Sequence, residues 1–177
     1  DSNPINHPET ISKMQRSVVN FLNGHNMQTA GIWTNESLDG TGTYSYATDA
    51  HYMGTKSLKM VKTNQTGWMT TRQDVTLPKG KAYTLSAFFQ TLADTVAQLR
   101  VTYKNSDGNE VAVDSLPQCS KGEWERMSVS FSLPADSASD SATVRLMAGG
   151  GAGTVWFDCA QLEAGEVAAP GGSAHDR

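Results

Sequence analysis

Apolar and polar residues alternate with a period of two along much of the chain, which is the pattern of a strand with one buried face. Over residues 83–91, Tyr83, Leu85, Ala87 and Phe89 share one side, while Thr84, Ser86, Phe88 and Gln90 share the other. Leu99, Val101 and Tyr103 likewise oppose Gln98, Arg100, Thr102 and Lys104. Met127, Val129, Phe131 and Leu133 oppose Arg126, Ser128, Ser130 and Ser132. Val144, Leu146 and Ala148 point inward, with Arg145 and Met147 outward, and TVWFDCAQLE reads as the last strand. Each strand thus has one apolar face and one polar, partly aromatic face. The pattern predicts an all-β sandwich of two antiparallel sheets.

Turn residues punctuate these runs. Asp107-Gly108 predicts a hairpin into EVAVDSL, because that dipeptide accepts the positive φ of a tight reversal. Pro78-Lys79-Gly80-Lys81 and Ser120-Lys121-Gly122-Glu123 separate further strands. The run Gly149-Gly150-Gly151-Ala152-Gly153 reads as a loop, since no helix tolerates it. It lacks the Lys-Ser/Thr ending and following helix of a phosphate loop. Residues 1–16 read as a linker with a short helical turn at Glu9–Gln15, residues 17–165 as the domain, and residues 166–177 as a flexible tail.

Composition narrows the function. The 177 residues carry a formal charge of −4, which argues against a phosphate-binding surface and hence against nucleic acid. No apolar run reaches the length of a membrane-spanning helix. Cys119 and Cys159 sit in no CxxC pair and have no histidine at metal-ligand spacing; a disulfide and two free buried thiols both stay open. Asp39, Asp49, Asp94, Asp107, Asp136 and Asp140 fall mostly at turns, where Asp caps backbone. Neither GxSxG nor HExxH occurs, so the chain is expected not to be an enzyme. Trp33, Trp124 and Trp156 beside turns, and the loop group Asp49, His51 and Tyr52, read as structural.

Four segments, in order, resemble the jelly-roll carbohydrate-binding modules of families 4, 9 and 22. They are VVNFLNGHNMQTAGIW (Val18 to Trp33, like the family's opening strand), GTKSLKM (Gly54 to Met60), VTLPKGKAYTLSAFFQT (Val75 to Thr91) and GTVWFDCAQLEAG (Gly153 to Gly165). The resemblance implies a jelly-roll β-sandwich that binds a polysaccharide or glycan on a concave sheet face. It also implies a structural Ca²⁺ held by Gln28, the backbone around Asn26 and Lys56, and Asp158, although Gln28 stands where an acidic residue is usual. Calcium takes six to eight oxygens, and losing one formal charge weakens such a site.

Sugars are held by aromatic faces against pyranose C–H surfaces and by planar polar side chains that take paired hydroxyls. The solvent-side positions supplying both are Trp68, Arg72, Phe88, Gln90, Arg100, Thr102 and Arg145. Trp68 falls near a binding aromatic of the resembling families. Cross-strand charge pairing explains the arginines equally well. The lead-in ISKMQRSVVN looks like connectors in bacterial cell-wall-associated YD-repeat (Rhs-type) proteins. The expectation is therefore a monomeric glycan-binding module within a larger secreted or cell-surface protein. A ligand-free structural or adhesive spacer is the alternative.

Overall fold

The computed structural model describes residues 19–165; the expected linker with its helical turn and the C-terminal tail lie outside them. Eight strands follow one another: β1 (Thr34–Leu38), β2 (Gly42–Ala47), β3 (Ser57–Lys62), β4 (Trp68–Thr76), β5 (Lys81–Lys104), β6 (Glu110–Asp114), β7 (Glu125–Leu133) and β8 (Ser141–Ala164). All of their pairings are antiparallel. The described residues contain no helix.

Two strands, β5 and β8, are 24 residues long, and each runs through both layers of the sandwich. The first layer is ordered β2, β3, the second half of β8, the first half of β5, then β7. The second is ordered β1, β4, the first half of β8, the second half of β5, then β6. The crossing point in β5 is a register shift between Ala93 and Thr95, with Ala93 in the left-handed region at φ 65°.

The crossing in β8 is the glycine run, which corrects the expectation of a loop: Gly149 to Gly153 continues as strand. The lack of side chains lets β8 press against the bend of β5. A Cβ at Gly153 would stand 2.2 Å from Thr95 Oγ1 and 2.3 Å from the Leu92 carbonyl.

Every inward position read from the alternation lies in one shared core: Tyr83, Leu85, Ala87 and Phe89 with Leu99, Val101, Met127, Val129, Phe131, Leu133, Val144, Leu146 and Ala148, and Tyr103 packed against them. Trp33 is also in this core, its Nε1–H donating to the Gly24 carbonyl at 3.1 Å. Because the two layers enclose a single core, their outer faces look away from each other. The opening segment differs from expectation. Residues 19–33 form turns instead of a strand, with positive φ at Gly24, Met27 and Gly31. Asn20 still ties this segment to β8, donating to the Ala160 carbonyl at 3.1 Å and accepting from Leu162 N–H at 3.0 Å.

Cys119 and Cys159 are both free, but neither is buried: Cys119 is exposed and Cys159 half-buried. Cys159 has φ 52° and sits in a bulge of β8, opposite the register shift between Ser86 and Phe88. An extra residue on one strand produces such a bulge and turns the following side chains. Burial, then the charge of Asp158, pushes the Cys159 thiol up to about 12.

Candidate functional site

The outer face of the second layer gathers most of the expected residues into rows across neighbouring strands. In one row, Arg72 of β4 pairs with Arg145 of β8, and Arg145 with Arg100 of β5. In the next, Thr143 lies between Asp74 and Thr102. On the other side of the arginines, Met147 lies between Thr70 and Gln98, all three buried. These positions alternate with core residues, so their outward direction follows from the strand period. Met147 is fully buried yet outside the core cluster, so it floors this outer face.

Carboxylates hold the arginines. Arg100 makes a two-pronged pair with Asp114 of β6, at 2.7 and 3.1 Å, and these bonds raise its pKa. Arg72 reaches Asp74 at 3.1 Å and Glu36 of β1 at 3.5 Å. The same Glu36 oxygen is 3.4 Å from Arg145, which also reaches Thr102 Oγ1 at 3.5 Å. Glu36, which has no pattern around it in the sequence, is thus shared by two guanidiniums. At the end of the face a pocket of about 250 Å³ is lined by Thr102, Lys104, Glu110, Ser139, Ser141 and Thr143, with Tyr103.

Trp68 closes the opposite end. Its indole lies against Gly149, where a Cβ would come within 2.3 Å of ring carbons. Any side chain at that position would push the ring off the strand. A buried lysine fixes both pieces. Lys62 is 1% exposed, and its Nζ donates to the carbonyls of Asn64 (2.8 Å), Thr66 (2.7 Å) and Gly150 (3.1 Å). It therefore ties the turn leading into Trp68 to the bend just past Gly149. Burial lowers its pKa. The signal was present in the sequence, because Lys62 continues the inward series Leu58, Met60.

Phe88 and Gln90 do not join this face, which corrects the expectation of a single groove. They precede the crossing in β5 and lie on the outer face of the first layer, paired with Asp158 and Trp156. Phe88 is covered there by Tyr52, with ring centroids 3.8 Å apart and planes 12° from parallel. Arg126 lies 5.6 Å from the Phe88 centroid, and Trp124 meets Tyr52 edge-on at 6.0 Å. Gln90 is nearly buried. Trp156 donates to Asp49 at 3.1 Å, and Asp49, its pKa lowered chiefly by Lys59, takes the lysine at 2.5 Å.

The positions implied for calcium converge on one loop, but with donors where the ion needs acceptors. Asp158, fully buried, accepts Tyr52 N–H and Met53 N–H on Oδ2 at 2.9 and 3.0 Å, and Cys159 N–H on Oδ1 at 2.8 Å. Gln28 Oε1 accepts Thr55 N–H at 3.3 Å and Lys56 N–H at 3.1 Å, while its Nε2 donates to Thr55 Oγ1 at 3.1 Å. Lys56 thus contributes its N–H, not its carbonyl, and Asn26 makes no part of this network among the described bonds. Calcium would need the same lone pairs. No group of three or more His, Cys, Asp or Glu side chains suited to a metal stands among the described residues. The residues present do not fit the ion.

A family model described as a carbohydrate binding domain matches residues 26–152. No curated protein sequence matches the chain. Several solved structures share its fold. One is a family 61 carbohydrate-binding module in complex with β-1,4-galactotriose: TM-score 0.61, 16% identity, covering 83% of this chain and 99% of that one. Another is the CBM22-1 xylan-binding domain of Paenibacillus barcinonensis Xyn10C: TM-score 0.64, 13% identity, covering 81% and 94%. A third is a family 16 carbohydrate-binding module: TM-score 0.59, 23% identity, covering 83% and 99%.

Proposed function

The chain belongs to the carbohydrate-binding domain family, and from that premise we propose that it is a non-catalytic module holding a glycan on the outer face of the second layer. The observation that carries this reading is Trp68 laid against Gly149 at one end of a strip of guanidinium, carboxylate and hydroxyl groups. A sugar ring presents a C–H face that an indole covers and hydroxyls that such planar groups pair. From Gly149 to Ser141 the strip runs about 27 Å at the rise of an antiparallel strand, longer than a single sugar. The galactotriose and xylan named for two structural neighbours support a polysaccharide as the class of ligand. In this reading the module attaches a larger extracellular or cell-surface protein to its polysaccharide, and the lead-in's likeness to YD-repeat connectors supports that setting.

Affinity electrophoresis of the pure domain in gels containing xylan, β-1,4-galactan or pectin tests the proposal. The wild type should be retarded in at least one gel. Trp68→Ala should weaken that retardation tenfold or more, a loss of about 1.4 kcal/mol, and Trp68→Phe less. Mobility unchanged in Trp68→Ala would remove the face from consideration. Release of reducing ends from a retarding polymer would overturn the non-catalytic part.

A further inference from the structure

Resting on the reading that this face binds glycan, we propose that its ligand is an acidic glycan and that a carboxylate of the sugar seats on Arg145. The first support is the row itself. Arg72, Arg145 and Arg100 occupy directly paired positions on three adjacent strands, and like charges placed opposite one another weaken a sheet. Their carboxylate partners are rooted outside the row, although the Glu36 side chain reaches back to Arg145 at 3.4 Å. Glu36 is on the β1 edge, Asp114 on the β6 edge, and Asp74 two residues further along β4. The row of guanidiniums is therefore flanked by carboxylates rooted on its rims, and Asp74 reaches in to accept the Thr143 hydroxyl at 2.6 Å.

The second support is the state of the middle residue. Arg100 has its carboxylate at 2.7 Å, within the range of charge-assisted hydrogen bonds. Arg145 has nothing comparable. Among the described residues its two contacts are long, 3.4 and 3.5 Å, one of them to a carboxylate already shared with Arg72. Its Nε is enclosed and has no hydrogen-bond partner among the described residues. It is also the most enclosed of the three, with 17% of its side chain exposed against 33% for Arg72 and 29% for Arg100. A planar guanidinium with spare donors in a fixed fork matches a carboxylate better than any neutral hydroxyl. Such a ligand would also relieve the repulsion along the row. Lys104, on the same strand as Arg100, lines the pocket at the end of the face opposite Glu110.

Matched polymers that differ only in charge test this. Highly methyl-esterified pectin is compared with the same polymer after de-esterification, and alginate with its carboxyl-reduced form, using wild type, Arg145→Gln and Arg145→Lys. The wild type should bind the acidic member of at least one pair tenfold or more tighter, and 0.5 M NaCl should erode that preference. Arg145→Gln should bring the ratio below threefold, and Arg145→Lys should restore it only in part, because an ammonium cannot pair in two prongs. Thermal melting separates this from misfolding: Arg145→Gln should melt no lower than wild type, since it removes the central like charge. Equal binding within both pairs, or a preference that survives Arg145→Gln, overturns the acidic ligand while the glycan reading stands. Failure to bind any of these polymers, xylan or β-1,4-galactan overturns both.

Discussion

The two outer faces of the sandwich start from the same strand pattern and end differently. Both alternate core residues with polar and aromatic ones. On the first layer the loop before β3 folds over the sheet. Asp158 holds the N–H groups of Tyr52 and Met53, and the Tyr52 ring lies flat on Phe88. On the second layer Trp68 and three arginines remain partly at the surface, with a pocket at the far end. An aromatic residue at an outward position is thus a partly exposed ring on one face and the floor of a folded loop on the other. What decides between them is the loop, which alternation within a strand does not encode.

Exchanging the roles of Phe88 and Trp68 gives the largest effect that would break this comparison. Phe88→Ala removes the ring stacked between Tyr52 and Arg126. Large-to-small changes at packed aromatics cost about 3 kcal/mol, which lowers the melting temperature of a domain this size by about 6–12 °C. Glycan affinity should stay within twofold of wild type. Calorimetry beside affinity electrophoresis reads both quantities. A Phe88→Ala variant that melts normally but no longer binds would reverse the assignment of the two faces.

A smaller effect should come from Lys62, which sharpens the account of the Trp68 face. Lys62→Met keeps the length of the side chain but leaves the carbonyls of Asn64, Thr66 and Gly150 without their shared donor. Leaving buried acceptors unsatisfied costs about 1–3 kcal/mol. The more telling readout is local. With 5-fluorotryptophan incorporated, the Trp68 resonance should move, whereas those of Trp124 and Trp156 on the other layer should not. In a background with Cys119→Ser and Cys159→Ser, aminoethylation of a Lys62→Cys variant before refolding restores an ammonium at the same reach and should return the Trp68 signal. Equal movement of all the tryptophan signals would make Lys62 a general stabiliser rather than the positioning residue of this ring.

The parts of this architecture that are local were legible from the sequence. Every inward residue named from alternation is in or packed against the core, because a two-residue period depends only on the strand carrying it. The hairpin at Asp107-Gly108 formed as expected, with Gly108 at φ 81° and Arg100 to Lys104 paired with Asp114 to Glu110. The glycine run misled because glycine permits a loop without requiring one; here it permits close contact between strands. Alternation puts Phe88 and Arg100 on the solvent side of two separate runs, and it does not say that the two runs are one strand or which layer each belongs to. The crossing at Ala93 to Thr95 changes the layer, and its only sequence trace is Asp94 in an otherwise unbroken run. Lys62 went unread although its charge stands at an inward position, whereas Glu36 acquires its role only from the register of β1 on β4.

The smallest expected effect concerns the loop that closes the first face. Folds of this type suggested a calcium ion at Gln28 and Asp158, and an ion there would make loop and fold depend on metal. The hydrogen bonds argue for the opposite outcome. Five backbone N–H bonds from Tyr52, Met53, Cys159, Thr55 and Lys56 end on the three side-chain oxygens of Asp158 and Gln28. To admit a cation, the loop would have to turn those N–H groups away and bring carbonyls in, giving up bonds worth about 1 kcal/mol each, more where the acceptor is charged. Adding 5 mM EDTA or 5 mM CaCl₂ should therefore move the melting temperature by less than about 1 °C, a ligand shift that corresponds to a few tenths of a kcal/mol at most. Asp158→Ala should lower it by several degrees, and by the same amount with either additive, since the bonds lost are to backbone and not to an ion. A clear rise with calcium in the wild type that Asp158→Ala abolishes would mean that the loop rearranges around a metal.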